Sequence, residues 1–412
     1  MAFSPSPAAT PEHLLDPFPW YRAMRADSPV AYDERRGVWR VFRYASVQRV
    51  LSDYAVFSSQ RTPKEHRERA ARHPLGSSLI SLDPPRHRQM RNLVTQAFTP
   101  RAVARLEPRI ARIVDELLDA VASAGRMDVV DDLAYPLPVI VIAELLGIPP
   151  EDRARFKRWS DAVVTGPGAG MGAGAGAGQG AGQMGQAGQM GQVYMEMAAY
   201  FFETIERRRL EPGDDLISGL LAAEVEGRRL SEIELLGFCM LLLVAGNETT
   251  TNLIANAVLC FDEQPEVYER LRAAPELLPG AIEEVLRYRS PVQSMDRVTL
   301  SETTLGGVTI PEDARVVAYI GSANRDEAQF PDPDRFDIAR DPNRHLAFGY
   351  GIHFCLGAPL ARLEARIALG ALIARFRDLR RVPDVALDPL PSAIVYGVRH
   401  VPVTFTAADG VS

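Results

Sequence analysis

At 412 residues the chain is longer than one simple core usually needs, and its 46% hydrophobic, 24% charged composition is that of an ordinary globular protein. A formal net charge of −7 excludes a general nucleic-acid binder, which needs a cationic surface to displace counterions from phosphate. Three cysteines, Cys239, Cys260 and Cys355, lie at no paired spacing, which excludes a disulfide framework or a cysteine-rich zinc site and fits a reducing compartment.

The longest apolar runs, 136–148 and 238–245, are too short to cross a bilayer, and the N-terminus lacks the basic and apolar regions of a signal peptide. No membrane span and a cytoplasmic location are therefore expected. Basic charge comes almost wholly from arginine, with Lys64 and Lys157 the only lysines. Arginine suits carboxylates held in a fork.

In chain order, a short helix is expected at 20–26, then two strands at 30–32 and 38–42 turning through Gly37. The polar, arginine-rich stretch 58–81 reads as a long loop. Asp83-Pro84 has the form of an N-cap with proline at the first helical position, opening a helix to about Phe98, and Thr99-Pro100 restarts another. His87 and Arg91 share a face of the first helix. Beside Arg86 and Arg88 they make, taken alone, a solvated cationic face. Further helices are expected at about 101–123, 132–146 and 151–164, so helix dominates.

Residues 166–192 are nearly all Gly, Ala, Gln and Met in near-repeats, without charge. A formal Gly-x-Gly-x-x-Gly match at 180–185 has neither a preceding strand nor a βαβ unit, so it is no dinucleotide site. The tract reads as a flexible loop inserted before a helix at about 193–209, either as passive expansion or as a lid near a substrate entrance.

Ser231-x-x-Glu234 is a capping box, and the apolar pattern it opens continues towards Phe261. Such a helix is about 45 Å long. Its middle carries Ala245-Gly246-Asn247-Glu248-Thr249-Thr250, where small residues open space beside a carboxylate and hydroxyls. A helix ending at Ser290-Pro291, a strand region at about 295–320, a turn at 331–336 and strands near 398–405 complete the pattern.

Between the last two lies Phe-Gly-Tyr-Gly-Ile-His-Phe-Cys-Leu-Gly, residues 348–357. Glycines let this loop turn tightly and approach a flat ligand. It sets Cys355 just before a helix N-terminus, where the macrodipole favours a thiolate. The bland reading of a lone cysteine is a small buried hydrophobe. Soft thiolate also suits iron, and on haem iron it favours O–O cleavage.

This string resembles the haem-ligand loop of the cytochrome P-450 family, and the resemblance extends over about 20–405. It implies a mainly α fold with a small β part (α+β), a single triangular-prism-like domain over 1–412. Haem b (iron protoporphyrin IX) would lie between the long central helix and the helix after the cysteine loop. By the same resemblance Cys355 is the axial iron ligand, with Phe348, Gly349 and Ala245 against the haem. His87, Arg91, Arg297 and His353 are partners for its propionates, and Asp296 is a lesser candidate. Two propionates taken out of water do need donors. Glu284-x-x-Arg287 corresponds to the family's buried pair, with Arg335 as third member; in isolation it would be an exposed helix pair.

Glu248 and Thr249 match the acid and alcohol of dioxygen activation, which must bring protons into an apolar pocket. A mid-helix threonine also bonds back to the carbonyl four residues earlier. Leu241, Val244, Ala245, Gln293, Met295, Ile394 and Val395 are implied to line the substrate pocket, with Gln293 orienting one polar group. The function implied is a monooxygenase that hydroxylates or epoxidises a hydrophobic small molecule of fatty acid, terpenoid, steroid or polyketide type. Electrons would come from a ferredoxin and its NAD(P)H-dependent reductase, docked near Arg86, Arg88, Arg344 and Arg362 on a monomer. The alternatives are a peroxide-driven peroxygenase and a non-enzymatic haem gas sensor.

Overall fold

The computed structural model describes residues 10–61, 78–152, 154–156, 158–159 and 181–408. Its contacts gather into two compact units. Met1–Phe57, Leu106–Leu137 and Thr249–Ser412 form the first, and Ser58–Arg105 with Pro138–Glu248 form the second.

In the first unit a five-stranded sheet has the order Val30–Asp33, Val38–Val41, Arg315–Tyr319, Ser294–Thr299, Phe57–Ser58. Val30 pairs antiparallel with Val41, Val38 runs parallel beside Arg315, and Ser294 pairs antiparallel with Tyr319. Alternation along the strands separates two apolar faces. One buries Val41, Val316 and Ala318 against Val47 and Ile320. The other stacks Phe42 on Tyr319, ring centres 4.6 Å apart, with Trp20 edge-on to both. A three-stranded sheet sets Pro402–Ala407 between Arg126–Asp128 and Phe376–Arg381. The helix Ala358–Arg375 packs on Glu107–Ala122 and on Leu278–Tyr288.

The capping box forms as expected: Ser231 N and Oγ each lie 2.9 Å from Glu234 Oε2. From it runs the 32-residue helix Glu232–Glu263, which contributes to both units. This helix is long and apolar enough to cross a bilayer, which the shorter run at 238–245 did not suggest; 59% of its most apolar window is buried within the protein, as in a core helix.

Several boundaries move. The helix expected from Asp83-Pro84 opens at Arg86, because the Asp83 carboxylate instead accepts from Ser58 Oγ at 2.5 Å and Ser59 N at 2.9 Å. The stretch at 101–123 divides into Pro100–Ala104, capped by Thr99, and Glu107–Ala122, whose second residue Pro108 cannot continue a preceding helix. The helix expected at 132–146 is a π turn, Val130–Ala134, followed by Pro136–Leu145. Of 151–164, residues beyond 159 lie outside the described ones, as do 62–77 of the expected loop.

Residues 166–180 of the glycine-rich tract also lie outside the described residues. From Ala181 the tract is helical, continuous with Ala181–Leu210, so the reading of a loop up to 192 is corrected there. Alanine, glutamine and methionine are good helix formers, and the downstream turns are anchored by buried Met197, Phe201 and Ile205.

Candidate active site

The cysteine loop is shaped by its glycines. Gly349 and Gly351 hold φ of +74° and +72°, which side-chain-bearing residues rarely adopt, and a Cβ on Gly351 would come within 2.8 Å of Ser52 Cα. Cys355 N donates to Phe348 O at 2.9 Å, closing the loop, and the helix Ala358–Arg375 begins directly after Gly357. Cys355 is partly exposed, whereas Cys239 and Cys260 are buried and their thiols are pushed up to about 12 by that burial. Those two fit the role of small hydrophobes.

Glu284 and Arg287 are wholly buried one turn apart and joined by two hydrogen bonds of 2.7 and 2.8 Å. The Arg287 guanidinium also donates to the backbone oxygens of Asn324, Pro333 and Arg335. Glu284 accepts from Arg340 Nε at 3.2 Å, Asn343 Nδ2 at 3.1 Å and Asp337 N at 2.9 Å. The expected third partner, Arg335, therefore enters only through its carbonyl; its exposed guanidinium lies 3.7 Å from Asp337. Arg340 holds the position assigned to it. The sequence offers two arginines five apart, and only the turn at 331–340 decides which one reaches back.

The neighbouring Glu283 receives Arg362 at 2.7 and 2.8 Å and His345 Nε2 at 2.9 Å. Burial would raise its carboxyl, but hydrogen bonds from Arg362 and His345 hold it down at about 2. Arg362 in turn lies over the Phe348 ring, 4.5 Å from its centre, tying the cysteine loop to the helix Leu278–Tyr288. Nothing in the local sequence marks this tie, because its members are some sixty to eighty residues apart (62 and 79).

Of the other residues implied in the first unit, Arg297 is buried and donates to Asp296 O at 2.8 Å, and His353 is half-buried in the loop. The Asp296 carboxylate is ion-paired with Arg315, one hydrogen bond being 2.8 Å. Gln293 is held at both ends of its amide. It is buried, its Oε1 accepts from Tyr21 OH at 3.0 Å and its Nε2 donates to Ser290 O at 2.7 Å, so both ends of the amide serve the fold. A Cβ on Gly321 would fall 1.9 Å from that Oε1, so Gly321 exists to admit it. Met295 packs on the sheet core, Val395 is buried opposite Val292, and Ile394 is half-buried.

Thr249 is half-buried, and Thr250 and Thr251 beyond it are buried. Thr251 Oγ1 donates to Ala134 O at 3.1 Å, and Thr250 is hydrogen-bonded to Glu364 of the Ala358–Arg375 helix. Glu364 is buried, and burial pushes its carboxyl up to about 8 against that bond. Sequence reasoning missed this residue, which carries no signal beyond sitting in an apolar pattern.

In the second unit, Gly246 meets Ile142: a Cβ there would lie 2.4 Å from Ile142 Cδ1, so only glycine lets the helices approach this closely. Ala245 and Leu241 are half-buried, and the Val244 side chain lies outside the described residues. Glu248 is 7% exposed, and burial pushes its carboxyl up to about 7. His87 is buried one helical turn before Arg91; burial, then the Arg91 charge, lowers its imidazole to about 4, so it is neutral at neutral pH. Among the arginines of the expected docking face, Arg86 pairs with Glu234 and Arg362 with Glu283, while Arg88 and Arg344 are exposed.

The donor set fits a haem. One thiol stands at a helix start with a glycine at its flank, where a Cβ on Gly357 would already touch the sulfur at 3.9 Å. The same unit supplies a buried guanidinium and an imidazole, the groups two propionates require.

The Cytochrome P450 family profile matches residues 29–161 and 183–385. A putative cytochrome P450, YjiB, of Bacillus subtilis (strain 168) is 46% identical over 386 residues, 93% of this chain and 92% of that protein. The erythromycin C-12 hydroxylase of Saccharopolyspora erythraea is 44% identical over 393 residues, covering 95% and 94%. Substrate-free CYP109E1 from Bacillus megaterium superposes with a TM-score of 0.88 at 46% identity, over 96% of this chain and all 100% of that one. Its complex with testosterone gives 0.84 at 45%, over 94% and 99%. With the fold, the thiol loop and these likenesses agreeing, the chain belongs to the cytochrome P450 family and is a monooxygenase whose cofactor is haem b.

Proposed function

We propose that this monooxygenase hydroxylates or epoxidises an apolar small molecule of steroid or polyketide size, with electrons delivered by a ferredoxin and its NAD(P)H-dependent reductase. Cys355 would hold the haem iron, and Arg297 and His353 its propionates. When bound, haem supplies dioxygen activation and transfer of one oxygen atom to the substrate.

The observation that carries the reading is the carboxyl of Glu248, buried beside Thr249 on one helix and poised at about 7. A general acid works best when its pKa lies near the working pH. Glu248 can therefore hold a proton in an apolar surround at neutral pH, and the adjacent Thr249 hydroxyl can accept a hydrogen bond while passing its own proton on. Such a pair is needed when dioxygen is the oxidant, whereas peroxide brings its protons with it. In the first unit Met295, Ile394 and Val395 would supply an apolar wall for a hydrocarbon body. The steroid bound to CYP109E1 and the polyketide named for the erythromycin hydroxylase support the substrate class.

Titration of haem-loaded protein with testosterone, a macrolide and a long-chain fatty acid tests this. The expected result is a blue shift of the Soret band with the first or second, followed by oxidised product when ferredoxin, reductase and NADPH are present. Full turnover with hydrogen peroxide alone, and none with the electron-transfer partners, would overturn it.

A further inference from the structure

Glu283 grips the chain on both sides of the cysteine loop, and every residue involved belongs to the first unit. Ahead of the loop, His345 Nε2 lies 2.9 Å from Glu283 Oε2, and Ala347 N donates to His345 Nδ1 at 3.2 Å. With Nδ1 accepting, the neutral ring carries its proton on Nε2 and donates to the carboxylate. Past the loop, Arg362 donates to Glu283 through Nε at 2.7 Å and Nη2 at 2.8 Å, one bond to each oxygen. Two parallel bonds fix the orientation of a guanidinium as well as its position.

That guanidinium lies over Phe348, the first residue of the loop, 4.5 Å from the ring centre, and the His345 ring is 6.1 Å from the same ring. The Phe348 carbonyl in turn accepts from Cys355 N at 2.9 Å. A restraint therefore runs from Glu283 through Arg362 to Phe348 and on to the backbone of the cysteine. The loop has need of one, because Gly349, Gly351 and Gly357 leave it much conformational freedom to lose. At 30% and 37% side-chain exposure, the Glu283–Arg362 pair adds little to overall stability, which separates its effect on the loop from any effect on the fold.

We propose that Glu283 and Arg362 are positioning residues for the haem ligand: by holding Phe348 they keep the loop in the form that presents the Cys355 sulfur to iron as a thiolate. The proposal rests on Cys355 as that ligand.

The test uses haem-loaded protein reduced with dithionite under carbon monoxide, where a strongly red-shifted band marks thiolate ligation. The half-life of that band is followed in urea below the unfolding midpoint, so neither ferredoxin docking nor turnover enters. Glu283→Gln and Arg362→Lys break the fork while keeping side-chain size or charge. Each is expected to shorten the half-life by about fivefold, equal to about 1 kcal/mol. The double variant should be no worse than the worse single one, because both residues act through one contact. Arg366→Gln, which cuts the pair with Glu107 one turn further along the same helix, should stay within about twofold of the parent.

Unchanged half-lives in both single variants, equal shortening in Arg366→Gln, or multiplied shortening in the double variant would overturn the proposal. A variant that is folded by circular dichroism but takes up no haem counts as complete loss of the band, and Arg362→Lys, the milder change, decides the matter if Glu283→Gln does not fold. If Cys355 is not the ligand, the parent itself lacks the band, a different result from variants that match the parent.

Discussion

Arg340 Nε donates to Glu284 Oε1 at 3.2 Å from 56 residues further along the chain, and with Arg287 it gives that buried carboxylate two guanidinium partners. The three form a closed set with the carbonyls of the 333–335 turn.

Removal of Glu284 strands the Arg287 charge in a fully buried site, at a cost of about 3–5 kcal/mol. Glu284→Ala should therefore yield little haem-loaded protein, measured as Soret absorbance per polypeptide. Arg340→Ala should lower the urea midpoint by less, and Arg335→Ala should stay within about 0.5 kcal/mol of the parent, because the Arg335 side chain is exposed.

Thr249→Ala leaves the cysteine loop and the ion-pair network untouched, so haem content should be unchanged. Without the hydroxyl beside Glu248, product formed per NADPH should fall severalfold and hydrogen peroxide should rise to match. An unchanged ratio of product to NADPH would show that another group passes the proton.

Stability should respond to pH through buried carboxyls. Glu364 binds its proton more tightly in the folded state, at about 8, than an unfolded glutamate does near 4.5. The folded state therefore holds more protons between these values, and this residue's contribution falls as pH rises from about 4.5 to 8. His87 has the opposite sign: lowered to about 4, it makes stability rise with pH from about 4 to 6.5. In Glu364→Gln the first decline is removed, so unfolding free energy relative to the parent should improve by at least about 1 kcal/mol between pH 5 and pH 8. A pH-independent difference would contradict the assignment.

Gly246→Ala forces a methyl into Ile142 Cδ1 and should destabilise by about 1–3 kcal/mol. Ile142→Val deletes that carbon. The double variant should regain most of the loss, measured by thermal denaturation, whereas additive losses would mean that the two residues do not meet.

Because the Gln293 amide is consumed by Tyr21 and Ser290, Gln293→Ala should lower the melting temperature while leaving relative affinities across a substrate panel unchanged. A reordering of substrates would restore it to the pocket wall.

The sequence by itself determined what depends on short-range chemistry. The capping box at Ser231, the cap at Thr99, the glycine loop before Cys355 and the Glu284–Arg287 pair all lie within a few residues of their partners, and the backbone alone brings them together. Helix starts that depend on a distant competitor were not legible: Asp83 is drawn away by Ser58 and Ser59, and only the folded chain supplies them. The same holds for the choice of Arg340 over Arg335, for the tie from Glu283 through Arg362 to Phe348, and for the consumption of Gln293 and Asp296. An ionisable side chain reads identically in sequence whether it is solvated, paired or buried. Tertiary structure decides which, because desolvation and a partner's charge exist only once distant segments have packed, and that is what sets Glu248 near neutrality and keeps His87 uncharged.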